Sequence, residues 1–154
     1  MRRAILIDFD HTISDGFWRD QMLATGSTWD ELHAASAKDK PLSDIAAIVA
    51  GMHLLGYRTI GCTGRPEKFR QMSIGWAAQH EIPICDMIMR PDEDRSPSGK
   101  MKLAQAIEHF GSLEALREHV AFIMDDRQDV IEAFQAIGVP AIQVFARGLP
   151  HAQP

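Results

Sequence analysis

The 154-residue chain lacks the marks of several common protein classes. It has two cysteines, Cys62 and Cys85, without a CxxC spacing, so we expect no disulfide framework and two reduced core thiols. Its seven histidines show no HxxxH pairing, which disfavours a zinc hydrolase. No GxxxxGK(S/T) motif occurs, so this chain does not carry the phosphate-binding loop of a kinase.

The chain also lacks long apolar runs and an excess of basic over acidic residues. No run approaches the roughly 18 apolar residues of a membrane span, and Met1-Arg2-Arg3 leads directly into a strand-like segment. These features predict a soluble, cytoplasmic protein with no membrane partner. A net charge of -5 argues against a generic nucleic-acid binder, because phosphate neutralisation supplies most of the affinity of such proteins.

An enzyme that grips one end of a nucleic-acid strand needs only a local basic patch. Nine basic residues fall on or near the predicted edge of the sheet: Arg19, Arg65, Lys68, Arg70, Arg90, Arg95, Lys100, Lys102 and Arg127. The alternative is that these side chains are scattered over the surface and solvated, without forming a patch.

The segment Asp8-Phe9-Asp10-His11-Thr12 places two carboxylates directly after the apolar run Ala4-Ile5-Leu6-Ile7. Such a run predicts a buried strand of a parallel sheet, and ligands bind beyond the carboxyl ends of these strands. Residues i and i+2 of an extended backbone point the same way, so the two acids would repel unless a cation neutralises them. Hard oxygen ligands favour Mg²⁺. The alternative is a helix N-cap followed by a capping threonine.

Two further apolar runs end in polar groups. The run 57–62 ends at Thr63-Gly64-Arg65, and the run 120–124 ends at Asp125-Asp126-Arg127. Three such ends describe one rim of one parallel sheet. There, Asp8 and the Asp125-Asp126 pair would bring anionic oxygens to one cation, and Thr63-Gly64-Arg65 would offer donors to an oxyanion.

The order of apolar and polar segments predicts an alternating β-α fold of one domain, residues 1–154, with an insertion at about 14–40 that acts as a flap. Thr28 or Ser27 would cap a helix in this flap. Trp18 and Trp29 would anchor the flap to the core or, alternatively, stack on a base. Further helices are predicted at 43–55, 67–80, from Pro97, around 108–118 and at 128–137, with short strands at 86–89 and 141–145 and a frayed tail at 149–154.

The chain resembles the haloacid dehalogenase superfamily and, within it, the phosphatase domain of phage polynucleotide kinase. The resemblance covers nearly the whole chain and is carried by Asp8 to Thr12, Trp29, Asp39-Lys40-Pro41, Thr63 to Pro66, Met89-Arg90-Pro91, Met101-Lys102-Leu103 and Asp125 to Ile131. It implies an α/β three-layer sandwich of the Rossmannoid type, with a central, mostly parallel five-stranded sheet and a minimal cap.

The resemblance also implies roles. Asp8 would be the nucleophile that forms an aspartyl phosphate, and Asp10 the general acid and base. Thr63 and Lys102, with Lys100 as the reserve, would hold the transferring phosphoryl group. Mg²⁺ would be bound by Asp8, the Asp10 carbonyl, Asp125 and Asp126. Substrate would contact the basic residues and the glycine of these motifs: Arg19, Gly64, Arg65, Arg90 and Arg127.

Two positions depart from the family pattern. His11 stands where the family often has glycine, which is tolerable if its backbone keeps a negative φ, and we expect its ring to fill space beside the site. Ser98 stands four residues before Lys102, where related enzymes often have an acid, so a hydroxyl would orient the lysine or that contact would be lost.

The hypothesis from the sequence is a Mg²⁺-dependent phosphomonoesterase that removes 3'-phosphate from DNA or RNA ends and works beside a separate kinase or ligase chain. The alternative is a nucleotidase or a general small-molecule phosphatase. A binding module on a degenerate phosphatase fold would have lost a nucleophile, acid, lysine or metal carboxylate, and none is missing.

Overall fold

The computed structural model describes residues 3–144. Its centre is a five-stranded sheet in which every neighbouring pair of strands is parallel. The strands lie in the order β5, β4, β1, β6, β7, where β1 is Ala4–Ile7, β4 is Arg58–Pro66, β5 is Asp86–Arg90, β6 is Val120–Asp125 and β7 is Ala141–Gln143. This confirms the predicted α/β architecture around a parallel sheet.

The alternation of side chains along β1 divides the core into two layers. Ala4 and Leu6 face one apolar cluster, and Ile5 and Ile7 face the other. All four are buried, as expected for a central strand that is covered on both faces.

The helices cover the two faces of the sheet. On the face of Leu6 lie α5 (Ser98–Phe110), α6 (Leu113–His119) and α7 (Gln128–Ala136). On the face of Ile7 lie α3 (Ser43–Leu54) and α4 (Arg70–Gln79). The result is a three-layer sandwich whose strands all end at the same rim. Among the described residues, no helix combines the length and the apolar character that crossing a membrane requires.

The insertion predicted at about 14–40 forms a small flap between β1 and α3. Its two ends meet in an antiparallel pair, β2 (Ser14–Asp15) and β3 (Lys40–Pro41). Between them lie two short helices, α1 (Gln21–Ala24) and α2 (Trp29–Ala35), and 3-10 turns at Phe17–Arg19 and Ser36–Lys38. Thr28 caps α2 in a reciprocal capping box with Glu31, which confirms one of the two predicted caps.

Several local predictions differ from the structure. The residue type of Ser43 predicts an N-cap for the helix at 43–55, but Ser43 is the first residue of α3 and Leu42 holds the N-cap position without a side-chain bond. The helix predicted from Glu67 begins as a 3-10 turn, Glu67–Phe69, before α4. The segment around 108–118 is two helices, because Gly111 adopts a positive φ of 89° and ends α5. The tail at 149–154 and the end of the last predicted strand lie outside the described residues.

Three side chains are more exposed than predicted. Cys62 is buried, but Cys85, which directly precedes β5, is exposed. Its Sγ lies 3.4 Å from the hydroxyl of Thr59 in β4. Trp18 and Trp29, expected to anchor the flap in the core, are 48% and 64% exposed. The flap is held instead by polar contacts at its two ends and by the smaller residue Leu32, which is buried.

Candidate active site

The acidic cluster, defined as Asp8, Asp125 and Asp126 together with Lys102, lies at the rim where β1 and β6 end. Ile7 pairs with Met124, and the amide of Asp8 donates to the Met124 carbonyl over 2.9 Å, so the residues that follow both strands are neighbours. Carboxylate oxygens of the three aspartates lie within 4.8 Å of one another. Two apolar strands therefore deliver three acids to one point.

Lys102 lies between two of these acids. Its ammonium group donates to Asp8 Oδ1 and to Asp125 Oδ2, each over 2.6 Å, and its side chain is 2% exposed. It comes from the first turns of α5, whose start packs closely on α7: the Gly99 amide donates to Asp129 Oδ2 over 2.9 Å, and a side chain at Gly99 would collide with the Asp129 carbonyl. The glycine thus lets α5 approach the rim.

The second carboxylate oxygens of Asp8 and Asp125 accept further bonds. The Thr12 hydroxyl donates to Asp8 Oδ2 over 3.1 Å, and the amide of Arg127 donates to Asp125 Oδ1 over 2.9 Å. Asp8 therefore has both carboxylate oxygens bonded to donors of this chain. Its side chain is 5% exposed, which leaves one narrow approach from the cleft.

The acidic cluster has three carboxylates and one ammonium. Burial, followed by the charges of Asp8 and Asp125, raises the pKa of Asp126 to about 8. Burial and the charge of Asp8 also raise the pKa of Asp125, although Lys102 opposes this. A divalent cation would offset the two excess negative charges, and closely spaced carboxylates are the ligands that Mg²⁺ prefers. The donor set therefore fits a Mg²⁺ ion.

The guanidinium cluster, defined as Asp10, Arg19, Asp39 and Arg65, lies beside the acidic cluster where the flap meets the sheet. Arg19 Nη2 contacts Asp10 Oδ1 at 2.5 Å and Asp39 Oδ2 at 2.7 Å. Arg65 Nη2 contacts Asp10 Oδ1 at 2.7 Å. Both guanidinium groups are almost fully buried, and their charges are paired with carboxylates of this chain.

These ion pairs set the ionisation of Asp10. Burial alone would raise its pKa, but the charges of Arg65 and Arg19 outweigh burial and hold the pKa well below its usual range. Asp39 is tied equally firmly, because it accepts from the Ser14 hydroxyl at 2.5 Å and from the Trp18 indole at 2.8 Å. The guanidinium cluster thus binds the flap to the sheet and fixes the Asp10 carboxylate.

The other predicted site residues lie nearby in different surroundings. Thr63 is buried, and its hydroxyl accepts from the Arg65 amide at 3.2 Å. Gly64 lines the cleft, and its carbonyl accepts from Arg90 at 3.1 Å. Arg90 also donates to the Ser96 carbonyl at 2.8 Å, so it braces the loop after β5. Arg127 is 55% exposed and contacts Asp129 at 2.9 Å, and Lys100 is exposed.

The structure resolves both departures from the family pattern. His11 has a φ of 64°, so the expectation of a negative φ was wrong, and its ring stacks on Phe17 at 4.2 Å with Nε2 3.0 Å from Asp20. Phe17 and Asp20 belong to the flap, which the sequence does not place next to His11. Ser98 lies 3.4 Å from Arg90, while Lys102 bonds directly to Asp8 and Asp125.

A cleft of about 620 Å³ joins both clusters to solvent. Its inner end is lined by Asp8, Asp10, Lys102 and Asp126, and its outer part by the flap and the loop after β5. Both signs of charge lie along the outer part: Lys68, Arg90, Arg95 and Arg127, with Asp20, Asp30, Asp92 and Asp94. The predicted basic residues are thus only partly gathered, and acids lie between them.

Sequence reasoning missed some residues of the site. Thr12 was noted only as part of a motif, yet its position four residues after Asp8 is a local signal that could have suggested the contact. Asp39 was noted only as part of the motif Asp39-Lys40-Pro41. It is separated from Arg19 by 20 positions, so no local pattern links the two residues. His33, which lines the cleft from α2, gave no sequence signal.

The parallel sheet and the acidic cluster at its rim define a phosphatase of the haloacid dehalogenase type. The family described as the polynucleotide kinase PNKP phosphatase domain matches residues 2–148, and the chain belongs to this family. A search of curated proteins finds no match.

Solved structures share the fold at low sequence identity. A chain of the Pnkp1/Rnl/Hen1 RNA repair complex is 20% identical with a TM-score of 0.75, and the match covers 94% of this chain but 42% of that one. The haloacid dehalogenase-like protein SP0104 from Streptococcus pneumoniae is 14% identical with a TM-score of 0.61, over 99% of this chain and 91% of that one. The magnesium-bound hydrolase YfnB from Bacillus subtilis is 12% identical with a TM-score of 0.63, over 97% and 91%. The chain thus spans less than half of the repair-complex chain that it matches.

Proposed function

We propose that this phosphatase is a Mg²⁺-dependent phosphomonoesterase that removes the 3'-phosphate from polynucleotide ends. The observation that carries the chemistry is the position of Asp8, which lies at the inner end of the cleft between Lys102 and two further carboxylates. A nucleophilic carboxylate beside a fixed cationic side chain and a metal-binding acid pair is what phosphoryl transfer through an acyl phosphate requires.

The carboxylates of Asp8, Asp125 and Asp126, with the carbonyl of Asp10, would hold the Mg²⁺ ion. When bound, the ion supplies positive charge that stabilises the transferring phosphoryl group. Lys102 supplies a second positive charge at the same place, because its ammonium group is already fixed between Asp8 and Asp125. This ammonium group does not have to be reoriented during the reaction, which is the basis of electrostatic stabilisation of a transition state.

In the first step an oxygen of Asp8 bonds to phosphorus, and the bond from phosphorus to the ester oxygen breaks. Asp10 gives a proton to the leaving oxygen, which departs as the free hydroxyl of the substrate. In the second step a water molecule attacks the aspartyl phosphate and gives a proton to Asp10. The bond from Asp8 to phosphorus breaks, and inorganic phosphate leaves with Asp8 restored.

The guanidinium cluster has a direct consequence for this cycle. Arg19 and Arg65 hold the Asp10 carboxylate in one orientation and favour its ionised form. The ionised form is the one that accepts a proton from water, so the cluster favours the second step. In this proposal Arg19 and Arg65 act on the substrate through Asp10, and the direct contact with substrate expected from the sequence stays a prediction.

Polynucleotide ends as substrate are supported by the family, whose description names polynucleotide kinase, and by the likeness to a chain of an RNA repair complex. The small flap also leaves the cleft open at its outer part, where a strand could extend into solvent. Since the repair complex contains further proteins by its name, we propose a separate kinase or ligase as the partner of this chain.

A nucleotidase is the second candidate, and one observation favours it. In the outer part of the cleft four aspartates, Asp20, Asp30, Asp92 and Asp94, offset the four basic side chains, and the chain has a net charge of -5. Both features disfavour a long polyanionic strand more than a single nucleotide.

The test is phosphate release from a panel of substrates with Mg²⁺ and with excess chelator. The panel contains 3'-phosphorylated DNA and RNA oligonucleotides, mononucleotides with 3'- or 5'-phosphate, and sugar phosphates. We expect the highest kcat/KM on the 3'-phosphorylated oligonucleotides and no turnover with chelator. Turnover of mononucleotides without turnover of either oligonucleotide would instead establish the nucleotidase.

A further inference from the structure

Among the large apolar residues that the structure describes, Trp29 is unusual because it is 64% exposed and yet lines the catalytic cleft. It is the first residue of α2, and the capping box formed by Thr28 and Glu31 fixes that end of the helix. An exposed indole normally lowers solubility and adds no packing to the core. The position of Trp29 in the cleft, however, allows its indole to contact a substrate.

Trp29 is the outer end of a row of aromatic rings. Its ring lies 6.1 Å from that of His33, with an angle of 27° between the planes, and His33 lies 5.7 Å from Phe69. Phe69 belongs to the 3-10 turn that leads from β4 into α4, so the row runs from the flap to the body of the sandwich. Three rings at these distances support one another and hold the outermost ring in place.

An ion pair holds the same part of the flap. Lys68 Nζ lies 2.6 Å from Asp30 Oδ2 and 5.6 Å from the centre of the Phe69 ring. Asp30 follows Trp29 directly, so the ion pair links this turn of α2 to the body of the sandwich, and the ring of His33 contacts the indole itself. A flat apolar surface that is already ordered loses little conformational entropy when it binds a second flat group.

We infer that Trp29 binds the base of the nucleotide that carries the phosphate, by stacking on it, while the phosphate lies at the acidic cluster. The inference rests on the proposed function and adds to it the residue that distinguishes a nucleoside phosphate from a sugar phosphate. Stacking suits an enzyme that accepts any sequence, since every base has a flat face. It also suits an outer cleft in which acids offset the basic side chains, because stacking needs no positive charge.

The second exposed tryptophan of the flap provides a matched control. Trp18 is 48% exposed, but its indole N–H donates to Asp39 over 2.8 Å and it is not among the described residues that line the cleft. Trp18→Phe therefore changes an exposed tryptophan of the same flap without touching the surface assigned to the base. Trp29→Phe keeps a smaller stacking surface, and Trp29→Ala removes it.

The experiment compares kcat/KM on two oligonucleotides that differ only in the last residue. One ends in adenosine 3'-phosphate and the other in an abasic tetrahydrofuran 3'-phosphate. We expect the wild type to prefer the adenine end by roughly fivefold to a hundredfold. Trp29→Ala should lose this preference, Trp29→Phe should keep part of it, and Trp18→Phe should keep all of it. Thermal unfolding of each variant checks the fold.

The outcomes separate the inference from the function on which it rests. A preference that is equal in the wild type and in Trp29→Ala would overturn the inference alone, as would an equal loss of preference in Trp18→Phe. Absence of phosphate release from both oligonucleotides by the wild type would overturn the proposed function and the inference together.

Discussion

The two clusters at the inner end of the cleft contain the same kinds of charge in different proportions. The guanidinium cluster has two carboxylates and two guanidinium groups, whereas the acidic cluster has three carboxylates and one ammonium. Both are largely buried, so neither can rely on water to screen its charges.

The balance of charge indicates what each cluster can do. A balanced buried network is satisfied by its own residues and is suited to holding a structure in place. An unbalanced one retains an attraction for a cation and for whatever that cation binds. We therefore expect substitutions in the acidic cluster to change chemistry most. In the guanidinium cluster, Asp10 has a proposed catalytic role, and we expect substitutions of its other members to change stability most.

The largest effect is expected for Asp8→Asn. The amide keeps the shape of the side chain but removes the nucleophile, so kcat should fall by at least about a thousandfold while the fold is retained. Phosphate release and circular dichroism measure the two properties. Asp44→Asn is the control, because Asp44 is an exposed acid in the first turn of α3. Substantial activity in Asp8→Asn would exclude the covalent mechanism.

The second largest effect is expected for Lys102→Met, and Lys100→Met is the matched control. Lys102 is buried between Asp8 and Asp125, while Lys100 is exposed two residues earlier on the same helix. Loss of a preorganised cationic donor should lower kcat by about a hundredfold to a thousandfold. The Lys100 variant should match the wild type in a steady-state assay, and equal loss in the two variants would count against the role of Lys102.

In the guanidinium cluster the corresponding change is Asp39→Ala. It leaves Arg19 buried with half of its carboxylate partners and removes the acceptor of Ser14 and Trp18. Breaking such a pair costs about 3–5 kcal/mol of the free energy of unfolding. Urea denaturation beside Asp44→Ala measures this loss. A variant as stable as the wild type would show that the balanced network does not hold the flap.

The acidic cluster was the part of the site most accessible to sequence reasoning. Asp8 and Asp125 each follow an apolar strand directly, and adjacent parallel strands end at one rim. Lys102 was chosen over Lys100 from a family motif alone, because the apolar stripe of the helix begins at Lys100. The structure buries Lys102 and exposes Lys100. Local patterns thus predict both the sheet and the three acids that it brings together.

The guanidinium cluster could not be predicted in this way. Arg65 meets Asp10 across 55 positions of sequence, and Arg19 meets Asp39 across 20. The contact of Arg19 with Asp39 depends on how the flap folds over the rim, which no periodicity encodes. Arg65 and Asp10 follow neighbouring parallel strands, so the sequence places them on one rim, but it does not show that they pair with each other. The exposure of Trp29 was missed for the same reason, because an aromatic residue at the start of a helix fits a core anchor and a cleft wall equally well.

The smallest expected effect concerns His33, which lies in the cleft beside the guanidinium cluster. Burial lowers its pKa from 6.5 to about 4, and the charges of Arg65 and Arg19 act in the same direction against that of Asp10. Since the folded pKa is below the unfolded value, the neutral form stabilises the fold above pH 6.5. This contribution is lost as the pH falls towards 4.

The matching experiment measures urea unfolding at pH 7.5 and pH 5 for the wild type, His33→Gln and His53→Gln. We expect the wild type to lose on the order of 1 kcal/mol more than His33→Gln on acidification, because glutamine does not titrate. His53 is exposed, so His53→Gln should behave as the wild type does. If His33→Gln loses as much stability as the wild type, the neighbourhood of the guanidinium cluster accepts a positive charge readily. Since burial is the largest cause of the lowered pKa, that outcome would mean that His33 is less desolvated than its position in the cleft indicates.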